Sequence, residues 1–230
     1  MTALVLLPGL DGTGILFQPL LQQLPATWRS VVVSYPMDAV ADYEVLTGLA
    51  GQAVPATGPV VLLGESFSGP IAIKLAAVLG ARVEALILCC SFVRNPRPSL
   101  SRLGGLVDLL PSPARLPPMI SACALLGAGG SAEVRSLLAQ ALVRLPATVL
   151  RARLRMVMRV NVTRELAAVR APVVYLQAAQ DWVVPSGAAV EVRKAQPRTV
   201  VLQLPGPHGL LQAEPQRSVT AMTSFLRGLD

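Results

Sequence analysis

Six short runs rich in β-branched and aliphatic residues constrain this 230-residue chain more than any other feature, because they are continuously apolar and do not alternate. They cover residues 4–7, 30–34, 60–63, 85–90, 173–177 and 199–204, and each ends in a turn signal. A strand with one solvated face alternates apolar and polar side chains, whereas a strand covered on both faces does not. Helical patterns separate several of the runs. One starts near Ser68, carries Pro70 in its first turn and stops at Gly80; another spans residues 186–196; a last one opens at Glu214-Pro215 and stops at Gly228. Strands alternating with helices predict an α/β chain, with a doubly wound, mostly parallel sheet of about six strands.

The alternation breaks once. Residues 93–170 contain no convincing strand. They offer a Pro/Arg-rich connector, Asn95-Pro96-Arg97-Pro98, and then helical stretches. The clearest covers residues 131–145, with Ser131 as N-cap and Val134, Leu137, Leu138, Ala141, Leu142 and Leu145 on one apolar face. A second covers residues 147–160. A structureless connection of this length does not suit a compact domain, so residues 93–170 are expected to form a helical cap between the fourth and fifth strands of a single domain, 1–230.

The cap also holds the positive charge. The chain has a net charge of +7, yet residues 93–170 alone carry twelve arginines, no lysine and three acids. Arg151, Arg155 and Arg159 recur every four residues on one helix face, with Arg153 near its flank and Leu150, Leu154, Val157 and Met158 on the apolar side. One reading is a solvated face. The other is a dock for an acidic partner or an anionic substrate, since guanidinium forks suit carboxylates and phosphates. Nucleic acid fits poorly, because the charge covers the region of a pocket and lacks interleaved aromatics.

Other classes are excluded by composition. At 53% hydrophobic and 14% charged residues, the chain is no disordered segment. The longest uncharged stretch, residues 45–64, is broken by glycines and prolines, so no transmembrane segment is expected. The first apolar run has no basic residues before it and meets Pro8-Gly9, as a first strand does and a signal peptide does not. Cys89, Cys90 and Cys123 make no disulfide framework, and a single histidine leaves no metal-ligand spacing. The cysteines read as small buried apolar residues in a reducing, cytoplasmic setting.

Chemistry concentrates at three loops. Residues 60–69, Val-Val-Leu-Leu-Gly-Glu-Ser-Phe-Ser-Gly, spell a strand, a sharp turn bearing Ser66, and a helix start. Such an elbow lifts the hydroxyl above the sheet edge and demands small neighbours. Alone it is a weak signal, and its fifth position is Ser68 instead of glycine. His208, the only histidine, follows the last strand in a Gly/Pro loop, and Asp181 follows the fifth strand in Gln180-Asp181-Trp182. All three fall at C-terminal strand ends, where open α/β sheets gather their sites, and in the order Ser, Asp, His. Neutral His208 can take the proton of Ser66 as the hydroxyl attacks, and Asp181 can orient the imidazole. An oxyanion would need donors. The N–H of Phe67 is one candidate and that of Leu10, in the glycine-rich loop after the first strand, the other. A nucleotide cradle is a competing reading of that loop, but glycines at 9, 12 and 14 are in the wrong order for the dinucleotide fingerprint.

These motifs resemble those of the α/β-hydrolases. Gly64-Glu65-Ser66-Phe67-Ser68-Gly69, Gln180-Asp181-Trp182-Val183-Val184-Pro185 and His208-Gly209-Leu210-Leu211-Gln212-Ala213-Glu214-Pro215 look like the nucleophile, acid and histidine motifs, and the likeness covers residues 4–229 outside the cap. It implies a Ser66–Asp181–His208 triad with donors from Leu10 and Phe67, on a minimal version of the family's sheet. Most relatives have a histidine before the oxyanion-loop glycine, where this chain has Pro8. The loop Leu7-Pro8-Gly9-Leu10-Asp11-Gly12-Thr13-Gly14 is similar to that of bacterial carboxylesterases and phytyl ester synthase-like acyltransferases. Pimeloyl-carrier methyl ester esterases, also similar, use cap arginines to hold an acidic acyl carrier protein, which implies that role for Arg151, Arg155 and Arg159. Three functions are thus expected in descending order: a carboxylic ester hydrolase for small or medium acyl groups; an acyltransferase or thioesterase; and a non-catalytic ligand-binding scaffold. None needs a metal or a cofactor.

Overall fold

Of the apolar runs that do not alternate, the four that become central strands are mostly buried, whereas the two at the sheet edges, residues 29–32 and 200–207, stay largely exposed or half-buried, against the expectation of cover on both faces. In the computed structural model, which describes residues 2–99, 105, 107, 122, 123, 125–127 and 130–229, six strands form one sheet among the described residues. They are β1 (Ala3–Leu7), β2 (Arg29–Val32), β3 (Val60–Glu65), β4 (Val83–Cys89), β5 (Val173–Gln180) and β6 (Val200–Pro207), in the spatial order β2-β1-β3-β4-β5-β6. Every neighbouring pair is parallel. The helices are α1 (Gln18–Leu21), α2 (Tyr43–Ala53), α3 (Gly69–Leu79), α4 (Ala132–Arg144), α5 (Ala147–Arg159), α6 (Thr163–Ala168), α7 (Gly187–Ala195), α8 (Leu210–Ala213) and α9 (Pro215–Arg227).

The strands divide two hydrophobic cores between them. Ala3, Val5 and Leu7 of β1 join Leu46 of α2, Ile71 of α3, Leu166 of α6 and Val192 of α7 on one face. Leu4 and Leu6 join Leu20 of α1, Leu210 of α8 and Met222 of α9 on the other. Burying one such side chain is worth about 1.5–3 kcal/mol over leaving it exposed, so the sheet forms only with both helical layers in place.

Two elements differ from the sequence reading. Residues 43–53 fold as α2 although Gly48 and Gly51 lie inside it. Asp42 caps its start, accepting a 2.8 Å bond from Val45 N, and Tyr43, Leu46 and Ala50 pack on the core, which outweighs the poor helical propensity of glycine. The expected Gly/Pro loop at 205–207 instead continues β6, where Pro207 pairs with Gln180 and Gly206 adopts φ 142°. An edge strand can carry prolines because its outer side needs no ladder.

Between β4 and β5 the described residues form α4, α5 and α6, with further helical residues at 122, 123, 125 and 126, and no strand. Much of the expected cap, within residues 100–129, lies outside the described residues. The ends of the insertion are tied together at the sheet: Val162 N donates to Val93 O at 2.8 Å and Asn95 N to Val160 O at 3.1 Å. Among the described residues no helix is long and apolar enough to cross a membrane.

Candidate active site

From β1 the chain goes outward to β2; from β3 onward it goes the other way. The loops leaving β1 and β3 therefore part company and leave a crevice at their C-terminal ends, the place where doubly wound sheets bind ligands. Residues 8–14 and Ser66 flank it.

The turn after β3 depends on small residues on either side of Ser66. Ser66 adopts φ 46°, a left-handed conformation that costs a non-glycine residue energy and is kept where the surroundings enforce it. A Cβ on Gly64 would lie 2.7 Å from Ala72 Cβ and 2.8 Å from Ser68 O, and one on Gly69 only 1.7 Å from Ser91 Oγ. Both positions must be glycine for the strand and helix to meet at this angle. Ser91 Oγ in turn donates to Ser66 O at 2.6 Å, and Tyr175 OH donates to Ser91 O at 2.6 Å. Ser68, at the position where glycine is commoner, hydrogen-bonds Tyr35 OH at 2.7 Å and donates to Pro8 O. Its hydroxyl thus joins the elbow to the loop after β1.

Ser66, His208 and Asp181 come together. His208 Nε2 lies 2.9 Å from Ser66 Oγ, and His208 Nδ1 lies 2.9 Å from both Asp181 carboxylate oxygens. The His208 and Asp181 side chains are each 6% exposed, while Ser66 is half-buried. Asp181 Oδ1 also accepts from Val183 N at 2.9 Å and Val184 N at 2.8 Å, so the turn that follows β5 fixes the carboxylate. Such a chain can pass a proton from the serine hydroxyl to the imidazole while the carboxylate stabilises the resulting charge.

Leu10 and Phe67 line the same cavity as Ser66. The Phe67 ring stacks on Tyr43, with centroids 5.1 Å apart, and meets Tyr35 edge-on at 6.3 Å; Tyr43 OH donates to Phe67 O. The cavity has a volume of about 680 Å³. Much of its wall is aliphatic, with Leu138 and Leu142 from α4 and Leu150, Leu154 and Met158 from α5.

Sequence reasoning missed two buried ionisable groups near the site. Glu65, the residue before Ser66, is buried, and burial pushes its carboxyl up to about 7. Neighbouring Asp11 adds to the rise, while bonds from Gln212 and Gly9 N–H oppose it. Gln212 Nε2 donates to Glu65 Oε1 at 2.9 Å and Leu16 O at 3.2 Å, so the residue before Ser66 holds the glutamine of the histidine motif. Arg153, placed near the flank of a basic face by helical spacing, is only 2% exposed and donates to Leu10 O and Asp11 O. Of the predicted face itself, Arg151 and Arg155 are half-buried and Arg159 is exposed, so the three do not share one environment.

Cys89 and Cys90 are buried as expected; Cys123 is exposed, against expectation. Cys90, Asp181 and His208 each offer a ligand atom within 4.8 Å of the others. A soft cation could be held there only by competing for the groups that join His208 to Asp181.

Comparison with known proteins agrees with this architecture. An esterase from Exiguobacterium antarcticum superposes with a TM-score of 0.83 at 15% identity, over 99% of this chain and 92% of that one. A thermophilic esterase from Thermogutta terrifontis gives 0.77 at 20% identity, over 100% and 90%. A bromoperoxidase from Bacillus anthracis gives 0.78 at 15%, over 98% and 92%. At such identities the likeness is one of fold, that of the α/β-hydrolases. Among curated proteins none is similar enough in sequence to count as a relative. Residues 29–204 match the hydrolase family described as serine aminopeptidase, S33, and the chain belongs to that family.

Proposed function

We propose that the protein is a serine hydrolase that cleaves carboxylic esters of apolar, medium-length acyl groups through an acyl-enzyme. One observation carries this reading: the hydrogen-bonded chain Ser66–His208–Asp181 opens on a cavity walled largely by hydrocarbon. His208 Nε2 takes the Ser66 proton as Oγ attacks the ester carbonyl, and Asp181 steadies the imidazolium. The N–H groups of Phe67 and Leu10 stabilise the oxyanion. His208 then returns the proton to the departing alcohol, and water repeats the cycle to release the acid.

The acyl group lies under a cap formed by α4 and α5. The volume is that of pockets for small organic ligands. Among the described residues the charged lining groups are hydrogen-bonded within the protein: Arg97 donates to Trp182 O at 2.6 Å and Val183 O at 2.9 Å, Asp11 accepts from Thr13 N at 2.9 Å, and Glu65 accepts from Gln212. An aminopeptidase reading would need a carboxylate facing a peptide's ammonium, and among the described residues the two acidic groups that line the cavity, Asp11 and Glu65, are buried. Ester substrates with uncharged acyl chains fit this wall better.

A panel of aryl esters from acetyl to dodecanoyl, with a thioester and a carrier-linked ester alongside, tests the reading. Specificity (kcat/KM) should climb from acetyl into the medium chains by up to about fourfold per methylene, the worth of burying one CH₂. Ser66→Ala should abolish hydrolysis and labelling by a fluorophosphonate, costing on the order of a millionfold in kcat. Labelling that survives the substitution rules out Ser66 as nucleophile, and a maximum at acetyl rules out the medium-chain pocket.

A further inference from the structure

Arg153 belongs to α5 in the insertion, yet its guanidinium lies inside the molecule against the loop after β1. A charge taken out of water must find compensation, and here the partners are carbonyl oxygens and aromatic faces. Nη1 donates to Leu10 O at 2.8 Å and to Asp11 O at 2.9 Å; Nη2 donates to Pro36 O at 3.1 Å. The guanidinium carbon is 5.7 Å from the centre of the Tyr35 ring and 5.8 Å from that of Phe67, both within cation–π range. Burial draws the guanidinium pKa down from its ordinary value, while Asp11 and Tyr35 oppose the fall, and arginine keeps its proton in such settings.

The loop it holds is a tight turn. Gly12 N donates to Gly9 O at 3.0 Å, which makes Leu10 and Asp11 the central residues. Both of their carbonyls meet one guanidinium nitrogen, so the Leu10–Asp11 peptide cannot flip without losing a charge-assisted bond. Gly12, at φ 71°, leaves the room: a Cβ there would lie 2.4 Å from Arg153 Nη1. Tyr35 N donates to Gly12 O at 2.8 Å, and Tyr35 OH reaches Ser68, so the same cluster extends to the elbow.

We infer that Arg153 is a positioning residue for the oxyanion hole: from the inserted helix it fixes, at once, the turn that presents Leu10 N–H and the ring of the residue that presents Phe67 N–H. The inference rests on the proposal that Ser66 is the nucleophile and that these two groups are the donors. It makes the docking of the insertion a condition for catalysis and gives one cap arginine a role unlike that of its neighbours on the helix.

The test uses the full-length protein with Arg153→Ala and Arg153→Lys, read by the second-order rate of fluorophosphonate labelling at Ser66 and by ester kinetics. Loss of the clamp should lower the labelling rate and kcat of Arg153→Ala on the order of 100-fold, as for loss of one oxyanion donor, with KM within about threefold. Added guanidinium or ethylguanidinium should recover at least about tenfold of that loss, and Arg153→Lys, with one compact donor, should fall between the two. A folded Arg153→Ala enzyme with wild-type labelling and kcat overturns the inference. So does a loss that tracks the folded fraction and ignores guanidinium. Where Arg153→Ala does not fold, the lysine variant decides: wild-type kcat in it overturns the inference and a kcat-selective loss supports it. If wild-type protein is itself not labelled at Ser66, the nucleophile reading falls first and the inference with it; labelling of wild type and variants at equal rates sinks the inference alone.

Discussion

The two sides of the cavity are built on different terms. On the sheet side the groups around Ser66 are set by backbone. Ser66 is held in a left-handed turn by glycines with no room for a Cβ, Asp181 by two N–H groups of its own turn, and His208 by the end of β6. On the helical side, leucines and a methionine of α4 and α5 supply shape, and one buried arginine adds to the backbone bonds that attach the insertion. Close tolerances therefore belong to the strand ends, while the insertion lines much of the cavity's apolar wall. Damage to the first side should cost chemistry, and damage to the second should cost selectivity or docking.

The sharpest test of that contrast is Asp181→Asn. The carboxylate accepts from Val183 N, Val184 N and His208 Nδ1 together, and an amide has one oxygen to share among them. Turning its NH₂ toward His208 imposes the wrong tautomer; turning it toward the backbone leaves two donors facing a donor. Turnover should fall on the order of 10⁴-fold with the protein still folded by circular dichroism. Turnover within tenfold of wild type would mean that another group orients His208, and the sheet side would lose its claim to close tolerance.

The same division explains what could be read from the sequence. Continuously apolar runs pointed to the parallel sheet because the central strands are buried on both faces, although β2 and β6 at the edges are not, and the strand ends then placed Ser66, Asp181 and His208 on one edge. The insertion was legible as helices, since the stripe of Val134, Leu137, Leu138 and Ala141 is buried as its spacing predicts. Arg153 was not legible. Charge and helical spacing put it near a solvated flank, and only the fold brings Leu10 O and Asp11 O within its reach. Glu65 escaped for the same reason, because its partner Gln212 stands 147 positions away. α2 was missed because its glycines outweighed three core contacts that a local pattern cannot reveal.

Glu65 offers a second measurement on the sheet side, of stability instead of turnover. Its folded carboxyl titrates at about 7, above the ordinary 4.5, so between these values the unfolded chain ionises first and the folded state binds more protons. The stabilisation from this group is present in full below about pH 4.5, declines as pH rises, and is gone above about pH 7. The span is worth on the order of 3 kcal/mol. Glu65→Gln keeps an oxygen for Gln212 and removes the titration. Denaturant unfolding from pH 4.5 to 8 should show the wild type losing that much more stability than the variant. Parallel curves would mean that Glu65 is ionised across the range, and that the floor of the site holds a fixed negative charge.

The smallest effect is expected at the outer surface of the insertion. A carrier protein bearing the acyl group would meet the arginines of α5 that reach solvent, of which Arg159 is exposed and Arg151 and Arg155 are half-buried. Charge at such a rim changes encounter rates more than bound-state energy and is screened by salt. Arg159→Glu should therefore lower kcat/KM for a carrier-linked ester severalfold at low ionic strength, and leave a free aryl ester of the same chain length unchanged. At 1 M salt, where the screening length is about 3 Å, the wild type and variant should converge on the carrier-linked substrate. Convergence would assign this face to partner docking, separate from Arg153, whose buried contacts salt does not reach. Equal kinetics on both substrates at low salt would return Arg159 to a solvated surface and leave the insertion with shape and the Arg153 clamp as its whole contribution.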